Sequence, residues 1–145
     1  MVRFKNLSVF CFLLLSILIL GCSKEDQTDW TITPTFKYED STFYGIDGKV
    51  GFIRENGEKN EPDSPANQGR LYKIYLFEAN KNLLNKEVKI TATSKETGDT
   101  EKLSEFINHG INHQKLGFGQ EGLWKIDVIV EDKEYTSFII KTEKP

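Results

Sequence analysis

The sequence predicts an all-β fold, an immunoglobulin-like antiparallel β-sandwich of about seven strands. Short stretches that alternate apolar and polar residues, or that are dense in β-branched and aromatic residues, recur along the chain. Turn residues such as Gly, Pro, Asp and Asn separate these stretches, and no series of amphipathic helices alternates with them. A small β-barrel is the alternative that the same pattern allows.

The first 21 residues have the pattern of a secretory signal. Arg3 and Lys5 give a basic start, and residues 9–20 contain no charged residue. An apolar run of about a dozen residues fits the central region of a signal peptide and is shorter than the roughly 20 residues that a membrane-spanning helix needs. We therefore expect residues 1–21 to be removed from the mature protein.

The end of this segment, Ile19-Leu20-Gly21-Cys22, resembles the lipobox of bacterial lipoproteins. In that family the cysteine thiol carries a thioether-linked diacylglycerol and the signal is cut just before the cysteine, so the resemblance implies that Cys22 is the lipidated first residue. Two acyl chains anchor a protein stably, so the expected location is outside the cytoplasm, attached to the membrane through Cys22. The other cysteine, Cys11, lies in the signal, and no internal disulfide is expected.

The mature chain is predicted to consist of a short tether and one folded domain. Residues 22–29 hold the lipidated cysteine and a polar stretch without an apolar side chain, which is typical of a tether. Residues 30–145 have the size of a common single domain. Loss of Arg3 and Lys5 from the 19 basic residues leaves a net charge of about −5 against 22 acidic ones. We therefore expect no nucleic-acid partner and a monomeric soluble domain.

Six stretches in the first part of the domain are strand candidates. They are residues 30–33, 36–38, 41–44, 48–53, 70–77 and 88–93. In the last of these, Ile90 and the apolar residues two positions away alternate with polar ones, which puts them on one face of a strand. Residues 70–77 are apolar or aromatic on both faces, as in a central strand. Ile74, Leu76 and Ile90 are therefore predicted core residues.

The C-terminal part predicts a β-hairpin, formed by residues 123–130 and 135–141 around a polar turn. The period of two puts Trp124, Ile126 and Val128 on one face, which is the predicted core face.

The register of this hairpin is open from the sequence alone. A two-residue turn would place Tyr135 and Ile139 beside that core face, whereas an odd-length loop would place Phe138 and Ile140 there.

Two long polar connections join the predicted strands. Residues 54–69 have almost no apolar content and predict a mobile loop. Residues 101–114 offer Leu103 and Phe106 at helical spacing, but Gly110 interrupts the pattern, so at most one short helix is expected there.

Gly117, Gly119 and Gly122 match the GxGxxG pattern of dinucleotide-binding sites. That fingerprint has to open a helix, because the pyrophosphate lies at the helix N-terminus. Here a predicted strand, residues 123–130, follows Gly122. We therefore predict structural glycines that permit tight turns, and no nucleotide or other cofactor.

Two further stretches resemble a family of small Bacillus-type lipoproteins with an immunoglobulin-like domain. Residues 122–128, Gly-Leu-Trp-Lys-Ile-Asp-Val, resemble the start of that family's C-terminal hairpin. Residues 48–52, Gly-Lys-Val-Gly-Phe, resemble its earlier Gly-x-x-Gly-Phe strand. The resemblance implies an immunoglobulin-like fold and implies no reaction, because the family has no established activity.

His109 and His113 are candidate metal ligands, since residues four apart share one face of a helix. Gly110 lies between them, and Glu105 is the only carboxylate close by in the sequence. No third Cys or His ligand follows. A metal site is therefore not predicted, and the two histidines are expected to have structural or solvated roles.

The acidic residues of the first long loop are the other candidates for metal ligands, in this case for calcium. Glu58, Glu61 and Asp63 lack the spacing and the glycine position of a known calcium loop. They are predicted to be solvated charges.

The sequence favours a binding protein over an enzyme. GxSxG, HExxH, CxxC and GxxxxGK motifs are absent from it. The favoured function is a non-enzymatic surface lipoprotein whose domain binds a partner in the cell envelope, such as a protein, through loops at one end of the sandwich. The competing hypothesis is a small-ligand or metal-binding accessory lipoprotein.

Overall fold

The computed structural model describes residues 27–77 and 82–145, and in these two ranges the chain forms nine β-strands and no helix. The strands are β1 (Phe36–Tyr38), β2 (Ser41–Ile46), β3 (Val50–Arg54), β4 (Arg70–Leu76), β5 (Glu87–Ser94), β6 (Thr100–Ile107), β7 (Ile111–Leu116), β8 (Gly122–Val130) and β9 (Lys133–Thr142). Within these ranges no helix that could cross a bilayer is present. The predicted signal and Cys22 lie outside the described residues.

The strands form two antiparallel sheets, ordered β1-β2-β3-β4-β7 and β6-β5-β8-β9. In immunoglobulin nomenclature, β6-β5-β8-β9 takes the places of strands C′-C-F-G, and β3-β4-β7 those of A-B-E. β1 and β2 add a hairpin at the A edge. The predicted β-sandwich is confirmed, and the barrel alternative is wrong because the sheets do not close on each other.

The core lies between the two sheets, and alternate side chains of the strands point into it. From β8 it receives Trp124, Ile126 and Val128, each at most 1% exposed. Ile74 and Leu76 of β4 face them from the other sheet, and Ile90 of β5 lies beside Val128 in the same sheet. All three are also buried. Together these side chains form one continuous apolar cluster, which is what a single sandwich core requires.

No helix forms in residues 101–114, where the sequence predicts at most one short helix. β6 pairs with β5, and β7 pairs with β4 of the other sheet. The buried side-chain amide of Asn108 holds the connection between β6 and β7 in place. Its Nδ2 donates to the carbonyl of Leu83 at 2.8 Å. Its Oδ1 accepts from Gly110 N and from Asn112 Nδ2, both at 2.9 Å. Gly110 has φ +91°, which a helix does not permit.

The loop of residues 55–69, predicted to be mobile, packs against one end of the sandwich. Ser64, Pro65 and Ala66 are buried. The Ala66 amide donates to the carbonyl of Glu143 at 2.8 Å, and the Asn67 amide donates to that of Phe118 at 2.7 Å. The prediction failed because these few small residues close the end of the core, although the loop as a whole is polar.

The β8–β9 hairpin combines a two-residue turn with a β-bulge. Glu131 and Asp132 form the turn, with φ of 50° and 60°. The register then shifts between Val128 and Ile129, so that Tyr135 has no direct partner in the ladder. As a result Phe138 pairs with Ile126 and Ile140 with Trp124, although the turn has two residues.

The N-terminal segment runs along the free edge of β9 and onto the outer face of the four-stranded sheet. Residues 30–33, a strand candidate in the sequence, are irregular in the structure. The Thr33 amide donates to the carbonyl of Ile139 at 3.0 Å, and the Ile139 amide donates to Thr33 Oγ1 at 2.9 Å. Thr28, Asp29 and Thr31 line a shallow groove with Lys125 and Ser137, whose side chains point away from the core.

Candidate functional site

The β1–β2 hairpin changes direction halfway along β2. β1 pairs with Ser41–Phe43, whereas β3 pairs with Tyr44–Ile46. Gly45 has φ +134°, and a Cβ at this position would collide with the carbonyl oxygen of Val50. Only glycine permits this conformation next to β3.

The part of the hairpin that precedes Gly45 in the sequence lies over the outer face of the five-stranded sheet. The ring of Tyr38 lies 4.9 Å from that of Phe77, and the ring of Phe43 lies 5.3 Å from that of Tyr75. Phe77 follows β4, which is not a neighbour of β1 in the sheet. With Phe36 these rings form an aromatic cluster, in which Phe43 is 2% exposed and Tyr38 is 40% exposed.

The space between the hairpin and the end of the sheet is a cleft of about 420 Å³, here called the hairpin cleft. It is lined by Asp40, Ser41, Thr42, Tyr44, Ile53, Arg54 and Asp63. Its size lies within the ~300–1,000 Å³ that ligand pockets usually have. Six of the seven side chains are polar or charged, so the cleft presents converging hydrogen-bonding groups.

Two tyrosine hydroxyls hold Asp63 at the edge of this cleft. Tyr44 Oη donates to Asp63 Oδ2 at 2.6 Å, and Tyr72 Oη donates to the backbone carbonyl of Asp63 at 2.8 Å. Burial, and then the Asp63 carboxylate, raises the pKa of Tyr44. Burial raises the pKa of Tyr72 to about 12. Both phenols therefore stay protonated and act as donors at neutral pH.

An ion cluster behind the cleft fixes Arg54 and the loop. Glu61, whose side chain is 4% exposed, accepts from Arg54 Nη1 at 3.2 Å, from Arg70 Nε at 2.9 Å and from Arg70 Nη2. The Glu58 amide donates to the same carboxylate at 3.0 Å. The hydrogen bond from Arg70 lowers the pKa of Glu61. The prediction of a solvated charge is wrong for Glu61, because two arginines from neighbouring strands neutralise it.

The two candidate histidines do not come together as a metal site. His109 is exposed in the turn between β6 and β7, whereas His113 lies on β7, where its Nδ1 is 2.6 Å from Glu55 Oε2. Glu105, the carboxylate expected near them, pairs with Lys102 at 3.0 Å. In residues 27–77 and 82–145 no three His, Cys, Asp or Glu side chains are grouped as metal ligands.

The glycine motif has a structural explanation at two of its three positions. Gly122 has φ +124° and opens β8, a strand. A Cβ on Gly117 would lie 3.3 Å from the Cα of Gly69, so this glycine allows the two segments to approach closely. Gly119 has neither constraint. Since a strand follows the motif, the helix N-terminus that a dinucleotide needs is not formed here.

Comparison with solved structures finds a similar fold in a candidate lipoprotein from Bacillus anthracis. The TM-score is 0.65 at 18% sequence identity, and the match covers 89% of this chain and 92% of the other. At this identity the likeness establishes the shared fold. No protein-family model matches the chain, and no curated protein matches it either.

Proposed function

We propose that this chain is a bacterial surface lipoprotein, held outside the cytoplasm by a lipid on Cys22, whose sandwich binds a component of the cell envelope without catalysis. The basic start, the apolar run and the lipobox pattern before Cys22 support the location. The shared fold with a candidate lipoprotein from Bacillus anthracis is in keeping with it. The observation that carries the binding function is the hairpin cleft, which lies where the loops of one end of the sandwich meet.

The chemistry of the cleft supports binding rather than catalysis. A nucleophile or general base works best when its pKa lies near the working pH. The pKa values of Tyr44 and Tyr72 are shifted upward, away from neutral pH. Glu61 is fully engaged by Arg54 and Arg70. These groups serve as fixed donors and as a rigid wall.

A small-ligand accessory lipoprotein is the second candidate, and the same cleft favours it. A concave site with a few fixed polar groups is typical of ligand binding. A metal-binding accessory lipoprotein has no comparable support, since His113 pairs with Glu55 and His109 lies apart from it.

The location is tested by metabolic labelling of the full-length chain with a fatty acid. We expect label in the wild-type protein and none in Cys22→Ala, which should persist as an uncut precursor. Mass spectrometry should place the mature N-terminus at Cys22. Label retained in Cys22→Ala, or a different N-terminus, would contradict the lipoprotein assignment.

The binding role of the cleft is tested by site-specific photo-cross-linking in cells. A photoreactive residue at Thr42, which is exposed in the cleft, should capture an envelope component. The same residue at Lys133, exposed at the opposite end of the sandwich, is the matched control. Equal capture from both positions would argue against a binding role for this cleft.

A further inference from the structure

We infer that the hairpin cleft binds a neutral, polyhydroxylated ligand, a sugar chain of the cell envelope; this inference rests on the proposed function and specifies its ligand. The ligand would lie between the β1–β2 turn and the edge formed by Asp63, with Ile53 as the single apolar side chain in contact.

The side chains of the cleft match the hydrogen-bonding capacity of sugar hydroxyls. Asp40 and Asp63 offer carboxylate acceptors, and the hydroxyls of Ser41 and Thr42 both donate and accept. A sugar hydroxyl also donates and accepts, so neighbouring hydroxyls can satisfy carboxylate and hydroxyl groups at the same time. A ligand with only donors or only acceptors would leave part of this lining unpaired.

The charges of the cleft favour a neutral ligand. An anion would meet the carboxylates of Asp40 and Asp63, and the described residues offer no group of three His, Cys, Asp or Glu side chains that could hold a metal cation. Glu61 already shares the positive charge of Arg54, at 3.2 Å. The lining therefore repels anions and holds no complete metal site, and hydrogen bonding is the interaction that remains.

The composition also argues against a protein side chain as the occupant. The centres of protein interfaces are depleted in charged residues and enriched in aromatic ones. Here the aromatic cluster packs on itself beneath the hairpin, with Phe43 2% exposed. The cleft instead holds three charged residues and one apolar residue, Ile53.

The polar groups are held in place before a ligand arrives. Tyr44 Oη fixes the Asp63 carboxylate at 2.6 Å, and Glu61 and the carbonyl of Asn56 fix the Arg54 guanidinium. Groups that are already ordered lose less conformational entropy on binding. This arrangement suits a weakly apolar ligand that gains most of its affinity from hydrogen bonds.

The test is calorimetric titration of the full-length protein in a detergent without a sugar head group, with chitohexaose and maltohexaose as soluble probes. A sedimentation assay with purified peptidoglycan sacculi distinguishes an envelope polymer from a free oligosaccharide. We expect at least one probe to bind with a Kd below about 1 mM. Asp63→Asn and Asp40→Asn should each weaken that binding about tenfold, because a charged hydrogen-bond acceptor is lost.

Two controls separate binding from folding. Asp132→Asn removes a carboxylate from a turn at the opposite end of the sandwich and should leave the Kd unchanged. Asp40 has φ +63°, which an asparagine tolerates well, and the side-chain amide oxygen introduced by Asp63→Asn can still accept from Tyr44. Both cleft variants should therefore keep the thermal midpoint of the wild type.

The inference would be overturned if neither oligosaccharide bound at about 10 mM and the sacculi did not bind either. The concentration of about 10 mM is chosen because sugar affinities are weak. Equal loss in Asp132→Asn would also overturn it, as would tight binding of spermidine or calcium that Asp63→Asn abolishes. If no probe binds but Thr42 cross-links to an envelope protein, the sugar inference fails and the proposed function stands. If a sugar binds but Cys22 carries no lipid, the proposed location is wrong and the sugar inference for the cleft stands.

Discussion

The indole N–H of Trp124 donates to the Thr142 hydroxyl at 3.1 Å, which ties the start of β8 to the end of β9. Thr142 in turn donates to the carbonyl of Gln120 at 2.7 Å. Trp124 is 1% exposed and packs against Phe118, with ring centroids 5.7 Å apart. A single side chain thus joins the glycine-rich entry to β8, the last strand and the core.

Trp124→Ala should lower the free energy of unfolding by about 3–5 kcal/mol, because it leaves a large cavity and removes a buried hydrogen bond. Urea denaturation of the wild type and the variant measures the difference. Trp30→Ala is the control: Trp30 is only partly buried on the outer face, and its loss should cost about 1 kcal/mol or less. Equal costs would mean that Trp124 is not a core anchor.

Gly45→Ala should be strongly destabilising, by about 3 kcal/mol or more, because the added Cβ meets the Val50 carbonyl and φ is +134°. Gly48→Ala is the matched control. Gly48 also has a positive φ, +71°, but a Cβ there meets nothing within 4 Å, so the cost should be about 1 kcal/mol. Thermal or urea unfolding of both variants measures how much more the change costs at Gly45, and equal costs would contradict the prediction.

Glu61→Gln should make the protein less stable at neutral pH, and the deficit should shrink in acid. The folded-state pKa of Glu61 is lowered, first by the hydrogen bond from Arg70. The ionised form therefore stabilises the fold fully above the unfolded pKa of about 4.3, and this contribution is lost as the pH falls through the lower folded value. Urea denaturation at pH 7 and at about pH 3 measures it.

The exposed Glu134 on β9 supplies a control for this pH dependence. Glu134→Gln should leave the free energy of unfolding nearly unchanged at both pH values. A Glu61→Gln deficit that stays constant down to acid pH would mean that the Arg70 contact does not depend on the charge of Glu61.

Asp132→Gly should stabilise the β8–β9 hairpin by up to about 1 kcal/mol, since glycine adopts the left-handed conformation without a steric penalty. Glu131 remains in place, so its carboxylate still accepts from the Glu87 amide at 3.0 Å. The same change at Asp99, which does not have a positive φ, should destabilise the protein. A lower thermal midpoint for Asp132→Gly would contradict the prediction.

Zinc should not bind tightly to the histidines. His113 is engaged with Glu55, and His109 lies in a separate turn. Calorimetric titration should find no zinc site with a Kd below about 1 μM, and the thermal midpoint should stay nearly constant with added zinc. A tight stoichiometric site abolished by His109→Ala or His113→Ala would restore the metal-binding hypothesis.

The sandwich was predictable where one strand carries its own pattern. β8 alternates Trp124, Ile126 and Val128 with less buried residues, and this period of two identifies the strand and its buried face. The partner register was not predictable, because the bulge at Val128/Ile129 leaves no local mark in the sequence. β6 and β7 were missed because the spacing of apolar residues there also fits a helix.

The candidate site could not be predicted from the sequence, for a different reason. Tyr44 and Asp63 are far apart in sequence and meet only because β2 bends at Gly45 and the long loop folds back. The charge of Glu61 looked solvated because its partners, Arg54 and Arg70, lie at the ends of two other strands. The one usable signal was Gly45 itself, which directly follows two aromatic residues and lies two residues before the Asp47-Gly48 turn.

The path of the N-terminal segment determines where the proposed lipid anchor would hold the domain. Thr28 and Asp29 run across the outer face of the four-stranded sheet, on the opposite side from the β1–β2 hairpin. From Asp29 back to Cys22 the chain reaches at most about 25 Å, comparable to the thickness of a two-sheet sandwich with its side chains. With the proposed lipid on Cys22 in the bilayer, the domain would be attached at the outer face of the four-stranded sheet, on the side away from the β1–β2 hairpin.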